Sequence, residues 1–304
     1  MRNIITHGTI TWIDVQDPAE EDVRHLEENY HVHPVALSEL MPPSWRMKVE
    51  QFPDHLFLIM YYPAYNKQKK ETRGKEIDII VSKDTLITSH YNFIVPLKAL
   101  FDQANLYPEK QKECMGGGTA MLLYHILESL SASCLVKLSR ISKKLEVVEQ
   151  EIFSGKEREI MTELLLAKAD IIDFLKIVSP QQRIFESLRS VAGEFFGKEA
   201  VPYFSRIAGN WEQAKNELET YKETILTLEQ TNTSLLSYKT SQILKVLTLF
   251  SVIIFPLTLF ATLFSMRAQA VPIVGLPGDF WIIIGLMGLI TFLMIRYFKR
   301  KNWV

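Results

Sequence analysis

The chain has 304 residues and a formal net charge of −1, with 34 Lys and Arg against 35 Asp and Glu. So even a balance excludes a bulk electrostatic pull toward nucleic acid or an acidic partner. The length accommodates a soluble domain of about 240 residues plus two membrane spans.

The opening stretch, MRNIITHGTITWIDV, has no apolar signal core, so the large domain is not expected to be exported. Residues 1 to about 105 read as mixed α/β. Short runs rich in β-branched and aromatic residues predict strands at Thr9–Val15, Lys48–Phe52, His55–Tyr62, Ile77–Val81 and Thr85–Ser89. Asp17-Pro18, with Glu20 and Glu21 close behind, predicts a helix start, because proline suits the first turn and acids suit the positive helix end. His33-Pro34 predicts a second helix through Leu40, and a third runs from about Pro96 to Leu106. His7, His25, His31, His33 and His55 lack metal-ligand spacing and are expected to be solvated or to cap helices. Cys114 and Cys134 also lack it and read as buried or half-buried thiols.

From Gly116 onward the sequence is helical. One helix is predicted from Thr119 to about Glu151 and another from about Glu157 to Ile177; Pro180 then opens a further segment that ends near Gly193 and Gly197. Charged residues at helical spacing on these segments read as solvated faces. Between Pro202 and Pro256 there is no proline and one glycine, Gly209, which predicts a single helix from about Tyr203 to about Phe264. Along it Leu218, Tyr221, Ile225, Leu228 and Leu235, with Asn232 among them, step by three and four. That spacing is a coiled-coil-like seam, expected to be buried between chains.

Val246 to Phe264 carry no charge over 19 residues, about 28 Å of helix and roughly one hydrocarbon thickness. The helix therefore starts in water and ends in a membrane, where Pro256 is tolerated. A linker with two prolines and two glycines follows, and Phe280 to Ile295 is a second apolar stretch that reaches spanning length through Phe298 if Arg296 snorkels. Arg296, Lys299, Arg300 and Lys301 end the chain without an acid, and Lys239 and Lys245 precede the first span. The positive-inside rule then places both termini in the cytoplasm and the linker outside.

Three stretches carry a family resemblance. The first is Trp12-Ile13-Asp14-Val15 with Asp17-Pro18, then His31-Val32-His33-Pro34, then Lys48-Val49-Glu50 ahead of His55-Leu56-Phe57-Leu58-Ile59. The second is Leu244-Lys245-Val246-Leu247-Thr248 followed by Phe255-Pro256-Leu257-Thr258, and the third is Tyr297-Phe298-Lys299-Arg300-Lys301-Asn302-Trp303. In that order they resemble the cytoplasmic domain, pore helix and basic tail of the CorA family of magnesium and cobalt transporters, which includes the ZntB-like zinc transporters. The resemblance implies an α+β membrane protein that assembles as a homopentameric funnel in a bacterial-type plasma (inner) membrane. Five long helices would line a central pore. The implied division is a cytoplasmic α/β domain over 1–115, a helical region over 116–200, a stalk over 201–245 and a pore-lining span over 246–264. An extracytoplasmic loop over 265–279, a second span over 280–298 and a basic tail over 299–304 complete it. The implied cargo is a divalent cation (Mg2+, Co2+, Ni2+ or Zn2+), with membrane lipid and copies of the same chain as partners, no covalent cofactor and no nucleic acid.

The candidate pore face steps along the helix as Ser241, Leu244, Leu247 or Thr248, Ser251, Phe255, Thr258 and Thr262. Leu244, Leu247 and Phe255 would gate by dewetting, while Ser251, Thr258 and Thr262 would offer oxygens to hydrated ions; the alternative is that Ser and Thr only ease helix approach in lipid. At the mouth the family signature is Gly-Met-Asn, whereas this chain reads Ser265, Met266 and Arg267, and Ser241 stands where the family has an inner asparagine. A guanidinium offers donors only, so a second reading stays open: a CorA-like scaffold acting as regulator, sensor or anion-tolerant pore. No nucleophile–base constellation, phosphate loop or zinc motif is present, so no enzyme is expected.

Overall fold

Among the described residues six strands form one sheet in the order β1-β2-β6-β5-β4-β3. They are β1 (Arg2–His7), β2 (Ile10–Gln16), β3 (Lys48–Gln51), β4 (His55–Asn66), β5 (Glu71–Ser82) and β6 (Thr85–His90). All neighbours are antiparallel except β2 and β6, which run parallel from Thr11↔Thr85 to Gln16↔His90. The helices are α1 (Glu20–Tyr30), α2 (Pro34–Glu39), α3 (Val95–Leu106), α4 (Pro108–Met115), α5 (Thr119–Glu151), α6 (Glu157–Phe195), α7 (Val201–Ser265) and α8 (Asp279–Arg300). This computed structural model describes residues 2–44, 46–66, 71–153, 157–266, 273–275 and 277–301. They fall into two compact units, residues 1–229 and 230–304.

One face of the sheet carries Ile13, Val15, Phe57, Ile59, Ile80 and Ile87, packed on Leu26 of α1 and Ala36 and Leu37 of α2. Each such side chain contributes about 1.5–3 kcal/mol on burial. On the other face Trp12 meets Phe101 of α3 edge-on at 4.8 Å and donates its indole N–H to Thr88 Oγ1. Thr88 donates to Asp14 Oδ1 at 2.6 Å, and the same carboxylate oxygen lies 3.3 Å from His90 Nε2.

The hairpin of β4 and β5 is longer than its apolar cores predict, running past Pro63 to Asn66 and back from Glu71. Pro63 pairs with Gly74, and its carbonyl accepts from Lys137 Nζ of α5 at 2.5 Å. Gly74 is required there: a Cβ would come within 2.9 Å of Tyr61 Cδ1 and 3.5 Å of Ile177 Cγ1. That close approach also explains α6, which is one helix of 39 residues rather than two segments broken at Pro180. Ile177 packs on the hairpin from one side of the proline. Gln181 on the other side donates to Tyr61 O at 2.6 Å and to Ile177 O at 3.2 Å. The helix is held continuous through a residue that would break it in isolation.

Asp78 lies on the same sheet face as Ile80 and is 1% exposed, with neither carboxylate oxygen hydrogen-bonded. Glu76, two residues earlier, instead accepts from the Ser44 N–H at 2.8 Å and from the Tyr61 hydroxyl. Burial, and then the charges of Glu76 and Glu39, push Asp78 well above the usual carboxylate range. The folded state therefore holds this proton where the unfolded chain has released it. Stability is lost as pH rises from the unfolded value of about 3.9 toward the folded one. Asp78→Asn should remove that loss, so its unfolding temperature should gain on the native protein as pH rises, by about 2–4 °C per kcal/mol. Parallel stability–pH curves for the two proteins would contradict this account.

In the helical part of the first unit, α5 and α6 pack on α7. Phe185 of α6 stacks on Trp211 of α7 at 5.2 Å, Lys168 of α6 pairs with Glu229 of α7 at 2.7 Å, and Asn210 of α7 donates to Ser131 of α5. The covered residues of α7 continue the spacing of three and four as Phe204, Ile207, Trp211, Ala214, Leu218, Ile225 and Leu228. The seam from Leu218 to Leu228 is thus buried within one chain, which corrects the expectation that it joins chains. Periodicity marks a covered face and does not say what covers it.

The histidines divide. His33 caps α2, accepting from the Val35 N–H at 3.2 Å, and His31 is exposed, whereas His25 is half-buried, with Nδ1 3.1 Å from the Asn29 amide. His55 departs from expectation: it is buried, its ring stacked on Phe52 at 4.7 Å because β4 starts inside the core. Cys114 and Cys134 are both buried and free.

Candidate functional site

Helix α7 is 65 residues long and passes from the first unit into the second. No residue from Val246 to Met266 is charged. Among the described residues three helices are long and apolar enough to cross a membrane, α5 among them, but half of the apolar window of α5 is buried in the protein. The windows of α7 and α8 have none of their residues buried. An apolar surface of that extent left uncovered calls for lipid or other apolar partners. The 22 residues of α8 cover about 33 Å. Exposed Phe280 and Trp281 stand at one end and exposed Tyr297 at the other, as in the aromatic belts of membrane interfaces.

Coverage within the second unit is not uniform around either helix. From Val246 on, the half-covered positions of α7 are Leu249, Ser251, Ile253, Pro256, Leu257, Phe260 and Phe264, all but Ser251 on one side of the helix. On α8 they include Ile283, Leu286, Met287, Ile290, Thr291 and Met294, with Phe298 buried beyond them. Each set is a stripe with spacing of three and four, the pattern of two helices that cover one another.

At about 100° per residue, the α7 stripe and the face made by Leu244, Leu247, Ser251, Phe255, Thr258 and Thr262 centre on directions roughly 180° apart. Ser241 falls on the flank of that face, about 80° from its centre. Six of the seven predicted pore positions therefore share the face turned away from the covered stripe. Phe255 is 73% exposed, more than Leu244 or Leu247.

The hydroxyls on and beside this face are disposed alike. Thr248 donates to Leu244 O at 2.8 Å, Ser251 to Leu247 O at 2.9 Å, Thr258 to Ile254 O at 3.0 Å and Thr262 to Thr258 O at 3.0 Å. Each hydrogen is committed to the helix backbone, so the oxygen is left to accept only. Such an oxygen suits a cation or the hydrogens of its water shell, and does not suit an anion.

At the end of α7, Ser265 donates to Thr262 O at 3.0 Å and Met266 is exposed. Arg267, the third predicted mouth residue, lies outside the described residues. Asp279 accepts from the Gly275 N–H at 3.0 Å and the Phe280 N–H at 2.7 Å, so both of its oxygens are used at the start of α8. Among the described residues no group of three or more His, Cys, Asp or Glu could hold a metal ion. The stalk carboxylates Glu217, Glu219 and Glu229 have partners of their own in Gln213, Lys215 and Lys168.

An α/β domain joined by one long helix to the first of two apolar helices defines a membrane protein whose long helix offers an uncharged, acceptor-bearing face. The chain belongs to the CorA-like Mg2+ transporter protein family, whose profile matches residues 7–300. It is 26% identical over 299 residues to the cobalt/magnesium transport protein CorA of Thermotoga maritima, covering 98% of this chain and 84% of that one. The structure of the CorA magnesium transporter from Methanocaldococcus jannaschii superposes with a TM-score of 0.85 at 23% identity, over 99% of this chain and 94% of that one. The ZntB cytoplasmic domain from Vibrio parahaemolyticus gives 0.63 at 16% identity, over 75% and 88%.

Proposed function

We propose that this protein is a homopentameric membrane channel that passes hydrated divalent cations along a pore lined by α7. The observation that carries the reading is the face of Leu244, Leu247, Ser251, Phe255, Thr258 and Thr262. It is uncharged, lies opposite the covered stripe and has hydroxyl oxygens left to accept only. Five copies would alternate hydrophobic rings with rings of acceptor oxygens, which suits an ion that keeps its waters, as Mg2+ does. The likeness to cobalt/magnesium and magnesium transporters supports Mg2+ and Co2+ as cargo, and Ni2+ or Zn2+ would fit the same oxygens less selectively. The pentamer rests on the family likeness alone, since the α7 seam is covered within the chain.

In this reading the span over 246–264 lines the pore, 280–298 surrounds it, and 1–115, 116–200 and 201–245 make the cytoplasmic domain and stalk. The purified protein in mild detergent should have the mass of five chains. Liposomes containing it should take up Mg2+ or Co2+ along a gradient, and chloride should not follow. A monomer, or vesicles that pass no divalent ion, would overturn the proposal. Uptake of chloride alone would favour the second reading, an altered scaffold, which Arg267 at the mouth supports.

We place the loop over 265–279 outside the plasma membrane and both termini inside, because Lys239, Lys245, Arg296, Lys299, Arg300 and Lys301 flank the spans on one side. An impermeant thiol reagent should label Val274→Cys in whole cells and spare Lys299→Cys. The reverse pattern would invert the topology.

A further inference from the structure

On the α3–α5 side of the sheet, Tyr62 of β4 and Lys75 of β5 are directly opposed in register, which puts their side chains on one face about 5 Å apart at Cβ. Lys137 of α5 reaches over this pair, its Nζ 4.0 Å from the Tyr62 ring centroid. The ammonium donates to the Tyr62 hydroxyl at 2.7 Å and to Pro63 O at 2.5 Å, and Tyr62 in turn bonds Ser133 Oγ at 2.8 Å. Arg140 lies one turn further along α5, and Lys75 Nζ donates to Phe93 O at 2.7 Å. None of Lys75, Lys137 and Arg140 has a carboxylate within 4.0 Å among the described residues. A half-buried ammonium ordinarily takes an anionic partner; Lys137 has only a phenol, a carbonyl and two further cations.

We infer that Lys75, Lys137 and Arg140, with the hydroxyl of Ser133, form a binding site for a compact tetrahedral oxyanion such as phosphate or sulfate. An ammonium with its third N–H uncommitted, an exposed guanidinium and a serine hydroxyl supply the donors such an ion takes, and a charge-assisted bond to each is stronger than a neutral one. The site lies in the first unit, in the part of the chain assigned to the cytoplasm, and does not depend on the ion pathway. Burial, and then repulsion from Lys75 and Arg140, lower the Lys137 pKa to about 8. The groups that face Lys137 are Tyr62 on β4, Lys75 on β5, and Ser133, Cys134 and Arg140 on α5. None of them supplies a negative charge near neutral pH, because Cys134 and Tyr62 are both pushed up by burial. A bound oxyanion would therefore hold the Lys137 proton in place.

Titration calorimetry on the full-length protein in detergent tests this, with sulfate as probe because its charge is constant from pH 7 to 9. Inorganic phosphate and metal-free adenosine triphosphate, run at pH 7, separate a free oxyanion from one carried on a nucleotide. Sulfate should bind at pH 7 and weaken severalfold at pH 9, where Lys137 is neutral. Lys137→Met should lose about tenfold or more, the ratio set by one charge-assisted hydrogen bond, and should be insensitive to this pH change. Lys83→Met, an exposed cation at the β5–β6 turn, the far end of β5 from Lys75, should bind as the native protein does. No sulfate binding by the native protein would overturn the site, and so would equal weakening in both variants. Loss of assembly in Lys137→Met, with no native response to sulfate, would also overturn it, since a carboxylate of a neighbouring chain would then be the partner.

Discussion

Replacing Phe255 with alanine should raise divalent-ion leak under conditions that keep the native pore shut. Phe255 is the bulkiest residue on the face opposite the covered stripe and its most exposed apolar one, one turn from Thr258 and directly before Pro256. In a pentamer its five rings would form an apolar constriction that water leaves readily, and a dehydrated gap is a barrier to an ion that keeps its waters. Alanine opens the gap and lets water fill it. A barrier lower by about 1.4 kcal/mol is a tenfold rate, so a rise of roughly tenfold in basal flux is expected. Phe250, exposed and about 140° around α7 from Phe255, provides the control, and Phe250→Ala should leave flux near native. If Phe250→Ala raises flux and Phe255→Ala does not, the pore register is wrong by more than about a third of a turn.

Arg267→Asn should raise divalent influx at low external metal. Five guanidinium groups about 10 Å from a divalent ion repel it by roughly 4 kcal/mol in water, and physiological salt would remove about half of that. The remaining 2 kcal/mol or so corresponds to a factor of roughly thirty. An amide removes the charge and adds an acceptor oxygen. The gain should be largest at low ionic strength and shrink as salt is added, a dependence that a merely steric effect would not show. Unchanged flux at every salt concentration, with the assembly intact, would mean that neither rate nor selectivity is set at the mouth. Abolished chloride uptake would instead favour an anion-tolerant pore.

The two spans, the long helix between Val201 and Ser265 and most of the strands are legible in the sequence because their signals are local. Absent charge, absent proline and strict spacing act within a few turns of the residues that carry them. That Leu244, Leu247, Ser251, Phe255, Thr258 and Thr262 share one face was legible for the same reason: their spacing of three and four is fixed by the helix itself. Less was legible at β1, whose partly exposed edge pattern gives a weak alternation, and at α4, where eight residues carry only two buried side chains. Lys75 and Lys137 were invisible as a group, since 62 positions separate them and only the register of β4 with β5 and the packing of α5 bring them together.

Pro180 and the α7 seam show where the boundary falls. By itself, the sequence determined that a proline stood in a helical stretch and that one face of α7 was apolar at regular spacing. It also determined that nineteen uncharged residues would leave water. Tertiary structure decided that α6 continues through Pro180, because Gly74 lets the β4–β5 hairpin close on Ile177 and Gln181 ties the next turn to Tyr61. It decided too that α5 and α6, rather than a second chain, cover Leu218, Ile225 and Leu228. The physical reason is that propensity and periodicity fix what a segment must bury, while the identity of the covering surface depends on contacts between residues far apart in the chain.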